Sequence, residues 1–250
     1  MKGVKNKKKI ILFILLVLVV TTGYVTNKKF EEKKNEAFRD FILDDLNVDY
    51  GSLIQEEKVD TKKVVSDLRR KYNNKEIVGA LTIENADYTV PLVQGKDNDY
   101  YLNHLPNKKS NFMGSIYLDY RVNVDTSKKL LIYGHNSSKY NMPFKVLMNY
   151  YNEDYVKEHE YLTITTENKV RKYKIFSILT ETSNFDYMKV NYKNNEYKEH
   201  LDYLYNRSIY KLDNDYDRDS NIVILQTCST LKEYKKYNKK FLLVVFKEVK

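Results

Sequence analysis

The sequence has one cysteine, Cys228, and four histidines. A thiol becomes a useful nucleophile when an imidazole lies near enough to share its proton. His135 is the histidine whose setting suits that role. It follows Leu130, Leu131, Ile132, Tyr133 and a glycine, and it precedes Asn136, Ser137 and Ser138. That places it where a strand exits into a loop. Cys228 has the same setting, because Ile222, Val223, Ile224 and Leu225 lead out through Gln226 and Thr227. Side chains at strand exits are held by rigid elements and still face a cleft. His104, His159 and His200 lie in polar stretches that read as exposed. One cysteine supplies no internal disulfide framework, and on its count alone it reads as a small buried hydrophobe. The pair by itself therefore leaves a structural reading open. No metal-ligand cluster or phosphate-binding glycine loop is visible, so neither metal nor cofactor is expected.

The elements that position these residues follow from hydrophobic pattern. Short apolar runs separated by turn residues predict strands at 77–83, 88–93, 114–118, 129–133, 161–165, 171–180, 221–226 and 241–246. Eight strands at irregular spacing suggest a closed or nearly closed barrel and a mainly β fold, 76–250. Two interruptions read as helical: 144–151 with 155–159, and 196–205. Residues 27–75 read as two helices. Phe38, Phe41, Ile42 and Leu46 mark the first, and Val64, Val65 and Leu68 before Tyr72 mark the second, which Asp60-Thr61 would cap.

Residues 1–26 read as a basic start and a membrane anchor. Lys2, Lys5, Lys7, Lys8 and Lys9 precede the uncharged apolar run 10–20, which Thr21 to Val25 extend. As a helix, 10–25 spans roughly 24 Å at about 1.5 Å per residue, slightly short for a bilayer core of roughly 30 Å. A cleaved signal peptide fits the same pattern, but an A-x-A-like cleavage site is missing. The preceding lysines put the start in the cytoplasm and the rest of the chain outside it. The 43 basic and 34 acidic residues give a net charge of +9. Acidic residues are interleaved throughout and no RNP-like motif appears, so no nucleic-acid partner is expected.

Four ordered blocks carry a resemblance. They are Val93-Gln94-Gly95-Lys96-Asp97-Asn98-Asp99-Tyr100-Tyr101-Leu102, Gly114-Ser115-Ile116-Tyr117-Leu118-Asp119-Tyr120-Arg121, Ile132-Tyr133-Gly134-His135-Asn136, and Leu225-Gln226-Thr227-Cys228-Ser229. In order and spacing the chain resembles a class B sortase. The resemblance implies an eight-stranded sortase-type barrel with N-terminal helices and a helix before the cysteine strand. It implies a cysteine transpeptidase that acts on a C-terminal sorting motif of secreted proteins. The thiolate of Cys228 would attack the threonine carbonyl of that motif, and an amine of a peptidoglycan precursor or a pilin would resolve the acyl-enzyme. His135 would protonate the leaving amine, and backbone N–H groups beside the cysteine are candidates to hold the oxyanion.

One departure stands out. Similar sortases carry an arginine at the start of the strand after the cysteine, and no arginine follows Cys228 here. Lys240, preceded by Lys239, occupies the matching place. It keeps the charge without the two-pronged donor set. Failing Lys240, the oxyanion would be held by backbone amides or by an upstream arginine such as Arg121 or Arg218. Asn98 and Leu102 resemble the family's groove wall, and Tyr187 and Met188 resemble its substrate-facing loop. Two other readings remain. An L,D-transpeptidase or papain-like hydrolase would also use Cys and His, but neither signature is present. A sortase-fold binding or assembly module that no longer catalyses would fit the missing arginine.

Overall fold

The computed structural model describes residues 21–30, 59–212 and 217–249. Residues 21–30 are helical and exposed. The apolar run 10–20 and the first expected helix around Phe38 to Leu46 lie outside the described residues. Among the described residues no helix is long and apolar enough to cross a membrane.

Eight strands close a barrel: β1 (Ile77–Ile83), β2 (Tyr88–Val93), β3 (Tyr117–Leu118), β4 (Lys129–Tyr133), β5 (Tyr161–Thr166), β6 (Val170–Glu181), β7 (Ile222–Cys228) and β8 (Phe241–Glu248). Their order around the barrel is β1-β2-β3-β4-β7-β8-β6-β5, with β5 returning to β1. The neighbours pair antiparallel except β2 with β3 and β4 with β7, which run parallel. β4 is buried at all five residues, and Ile222, Val223, Ile224 and Leu225 of β7 are buried too. That explains why both read as continuous apolar runs, since strands covered on both faces lose the polar alternation. Leu81, Leu92, Leu118, Ile132, Ile164, Ile178, Leu225 and Val244 fill the interior.

Besides residues 21–30, the described residues hold three α-helices: α1 (Thr61–Tyr72), α2 (Glu153–Glu158) and α3 (Glu196–Asn206). The side chain of Asp60 accepts the Lys63 N–H at 3.0 Å, so the expected cap forms. Val64, Val65, Leu68 and Tyr72 bury the inner face of α1 on β1 and β5. α3 lies in the connection before the cysteine strand, as the resemblance implied.

Two elements differ from expectation. The third strand is only Tyr117–Leu118 because the backbone ahead of it is used elsewhere. Gly114 turns with φ +63°, and the Ser115 N–H bonds the Tyr101 carbonyl at 2.9 Å instead of joining the ladder. The stretch Pro143–Tyr151 is a 3-10 helix broken at Phe144. There the Phe144 N–H is taken by the His135 carbonyl at 3.0 Å, which draws the chain out of an α path. His159 and His200 are buried, not exposed. His159 has both ring nitrogens against carbonyls, of Tyr155 and Asn85.

Candidate active site

The register of two parallel strands brings the chemistry together. Tyr133 of β4 pairs with Gln226 of β7, so residues two further on, His135 and Cys228, leave the sheet at the same level. Parallel neighbours lie about 4.8 Å apart. The pairing persists one step past β4. The Gly134 N–H bonds the Gln226 carbonyl at 3.2 Å, and the Thr227 hydroxyl bonds the Gly134 carbonyl at 2.8 Å. Gly134 is required there, because a Cβ would come within 2.4 Å of Ile116 Cδ1 and 2.6 Å of Phe144 Cδ2. The Asn136 amide donates to the Cys228 carbonyl at 2.9 Å and ties the two strand exits again.

Cys228 and His135 line one cleft of about 340 Å³, together with Asn98, Asp99, Leu102, Tyr117, Tyr133, Gly134, Met188, Gln226, Thr227 and Phe241. His135 Nε2 lies 2.9 Å from the Leu102 carbonyl oxygen. A carbonyl only accepts, so Nε2 carries a proton and Nδ1 is the nitrogen left to exchange one. Gly114 helps to place that carbonyl, since a Cβ there would lie 2.5 Å from the Leu102 oxygen. The thiol reaches the surface, yet the surrounding protein desolvates the sulfur and raises its pKa, while the Lys240 charge opposes the rise. Cys228 and His135 share no direct hydrogen bond in this structure.

Lys240 stands beside the site but not in the cleft lining. Its Nζ donates to the Tyr237 carbonyl at 3.0 Å. The Lys240 carbonyl accepts the Ser229 N–H at 2.9 Å. That bond corrects one expectation, because the amide following the cysteine is occupied and is not a spare oxyanion donor. Lys239 lies over the Phe185 ring at 5.5 Å. Every arginine among the described residues faces a carboxylate, and none lines the cleft. Arg121 is bound to Asp119 and Arg218 to Asp202, so neither upstream arginine reaches the thiol.

Of the expected groove residues, Asn98, Leu102 and Met188 line the cleft. Tyr187 does not. It is fully buried, and its hydroxyl donates to Gln226 Oε1 at 2.9 Å from behind the wall. Sequence reasoning missed Asp119, the buried centre of a network beneath the cleft. Asp119 accepts from Asn98 Nδ2 at 3.0 Å, from Tyr133 Oη at 2.8 Å, and from Arg121 Nε and Nη2 at 2.8 and 2.7 Å. Burial raises its pKa, but these bonds outweigh burial and hold the carboxyl below its ordinary value. Asp119 stood in plain view beside Arg121 in a family block, but no local pattern signals that a carboxylate turns inward.

Comparison with known proteins places this geometry. A family model described as a sortase domain matches residues 81–248. Sortase B of Listeria monocytogenes is 31% identical over 213 residues, covering 83% of each chain. The crystal structure of Clostridium perfringens sortase B aligns with a TM-score of 0.65 and 28% identity, over 74% of this chain and 99% of that one. A Staphylococcus aureus sortase B–substrate complex aligns with a TM-score of 0.72 over 88% of this chain and 99% of that one. Its identity is 23%, so that likeness speaks for the fold. The eight-stranded barrel, the lone cysteine at the end of β7 and these relatives together identify the chain as a member of the sortase family, a class B cysteine transpeptidase.

Proposed function

We propose that the enzyme is held at the cell membrane by its N-terminal segment, with the barrel outside the cytoplasm. There it transfers secreted proteins from a C-terminal sorting motif to an amine of the cell wall or of a pilin. The observation that carries the reading is the level placement of Cys228 and His135 in one cleft by the β4/β7 register.

Cys228 loses its proton to His135 Nδ1, and the thiolate attacks the threonine carbonyl. Collapse of the tetrahedral intermediate breaks the C–N bond, and the departing amine takes the proton from the imidazolium. The acceptor amine then gives a proton to His135 and attacks the thioester. The C–S bond breaks, a new amide forms, and the thiol is restored. Leu102 holds the imidazole through its carbonyl. Lys240 releases the Tyr237 carbonyl to meet the developing oxyanion. Asn98, Leu102 and Met188 contact the peptide.

The test is a screen of sorting-motif peptides with a glycine-peptide amine, using wild type and Cys228→Ala. A transfer product and a covalent intermediate are expected from wild type alone. Absence of both with every motif would overturn the reading. It would favour a weakened sortase that serves as a surface binding module, a reading supported by the lack of an arginine in the cleft. Fractionation of cells expressing the full chain tests the anchor, and recovery of a soluble form beginning near residue 25 would mean a cleaved signal instead.

A further inference from the structure

The connection from β6 to α3, residues 182–195, contains one short 3-10 turn, Asp186–Met188, and no other regular element. Carbonyls in such a segment have no ladder to join and need partners from elsewhere. The carboxylate of Glu181 gathers the N–H groups of Thr182, Ser183 and Asn184 at 2.9, 3.1 and 3.0 Å. Three consecutive carbonyls further on are then taken by side chains from distant parts of the chain. The Lys129 amino group donates to the carbonyl of Tyr187, and to that of Lys189 at 2.9 Å. Between them, Arg121 Nη2 donates to the Met188 carbonyl at 3.0 Å. Lys129 is buried on β4 and also meets Tyr192 Oη and His200 Nε2. Arg121 is fixed from behind by its two bonds to Asp119, the residue that also holds Asn98 and Tyr133.

We infer that Lys129 and Arg121 are positioning residues for substrate recognition. They clamp carbonyls 187–189, so that the Met188 side chain stands as a fixed wall of the cleft, in register with the wall that carries Asn98. A segment without secondary structure loses conformational entropy when it orders. The clamp makes that loss part of folding, so peptide binding does not bear it again. Arg121 links the two stretches through one guanidinium: one edge serves Asp119 and one N–H serves Met188. A lysine at 121 has donors enough but not the rigid planar fork, so it holds the two partners without the fixed geometry between them.

The inference rests on the proposed peptide substrate, and its test separates the two. KM and kcat are measured for the sorting peptide with wild type, Arg121→Gln, Arg121→Lys and Lys129→Met. Arg218→Gln, which breaks an exposed ion pair with Asp202, is the control. Arg121→Gln is expected to raise KM about tenfold, the size of one lost charge-assisted hydrogen bond, with kcat changed less than about threefold. Arg121→Lys should fall between it and wild type, and the control should match wild type. Amide hydrogen exchange across 186–192 should speed up in the Arg121 variants and in Lys129→Met, while exchange in α1 stays unchanged. Lys129→Met removes a buried polar centre on which folding also draws, so Arg121→Gln decides. Wild-type KM and wild-type exchange in that variant would overturn the inference. So would a fall in kcat that tracks a lost folded fraction with KM unchanged. If wild type turns over no peptide, the substrate reading has failed, and the exchange data still decide whether the clamp exists.

Discussion

In the proposed mechanism Lys240 meets the developing oxyanion, and the size of that contribution can be worked from the structure. A preorganised donor to an oxyanion is typically worth about 2.7–4 kcal/mol, or about 10²–10³ in rate. Lys240 is not fully preorganised, because its Nζ is bound to the Tyr237 carbonyl at 3.0 Å. Leaving that bond costs about 0.5–1.5 kcal/mol. The difference, about 1–3.5 kcal/mol, corresponds to a loss of roughly 5- to 400-fold in kcat/KM for Lys240→Ala. Lys240→Arg should hold or raise activity by adding donors at unchanged charge. Lys239→Ala should be nearly silent, since that ammonium sits over Phe185. A second readout is independent of substrate. The Lys240 charge holds the Cys228 pKa down against desolvation, so Lys240→Ala should move the pH profile of thiol alkylation upward. If both alanine variants matched wild type in peptide turnover and in thiol titration, the assignment of Lys240 would be refuted.

Cys228→Ala should abolish both cleavage and covalent capture with the melting temperature little changed, and residual wild-type-like cleavage would sink the mechanism. His135→Ala should be severely impaired in both steps, as measured by release of the leaving peptide and by transfer to the amine. Gly134→Ala forces a Cβ into Ile116 and Phe144 and should destabilise the fold by about 1–3 kcal/mol, read from denaturant unfolding. His200 is held neutral by burial and then by the neighbouring Lys129, with its pKa pushed down to about 2. Its native pKa lies below the unfolded value near 6.5, so the unfolded chain binds the extra proton. Stability is then highest above about pH 6.5 and falls below it, by up to about 1.4 kcal/mol per pH unit. Melts between pH 7.5 and 5 should show that slope in wild type and a flatter one in His200→Gln; equal slopes would reject the account.

The strands were legible where composition and burial agree. The runs 77–83, 88–93 and 129–133 have the bounds of β1, β2 and β4, because β-branched and aliphatic residues end there at turn residues. The strand exits at His135 and Cys228 were legible for the same reason. Their meeting was not, since it depends on β4 and β7 pairing in parallel across some ninety positions. Tyr187 shows another limit: nothing local tells whether a loop tyrosine faces the cleft or lies behind it, and here Gln226 draws its hydroxyl inward. Lys128 and Lys129 are adjacent and chemically identical in sequence. One reaches Asp219 at the surface and the other is buried under residues 187–192. Strand alternation says that they point apart, but only the distant connection decides which of them is covered.

The setting of Cys228 also explains how a surface thiol is kept both accessible and restrained. Cys228 is exposed at a strand exit, a position that would favour oxidation if the sulfur were ionised at rest. Desolvation raises its pKa, and Lys240 only partly offsets that. His135 is turned onto the Leu102 carbonyl and makes no bond to the sulfur. The resting site is therefore dominated by the neutral thiol, the less reactive form. In the proposed mechanism, ionisation gains its advantage when a peptide fills the cleft, excludes water and brings a carbonyl to the sulfur, since an ion pair with the imidazole and the Lys240 charge would then act at lower dielectric. On this argument the rigid parts, the β4/β7 register and the Asp119 network, set where the reaction occurs. The unpaired thiol and the parked lysine leave the final adjustment to substrate.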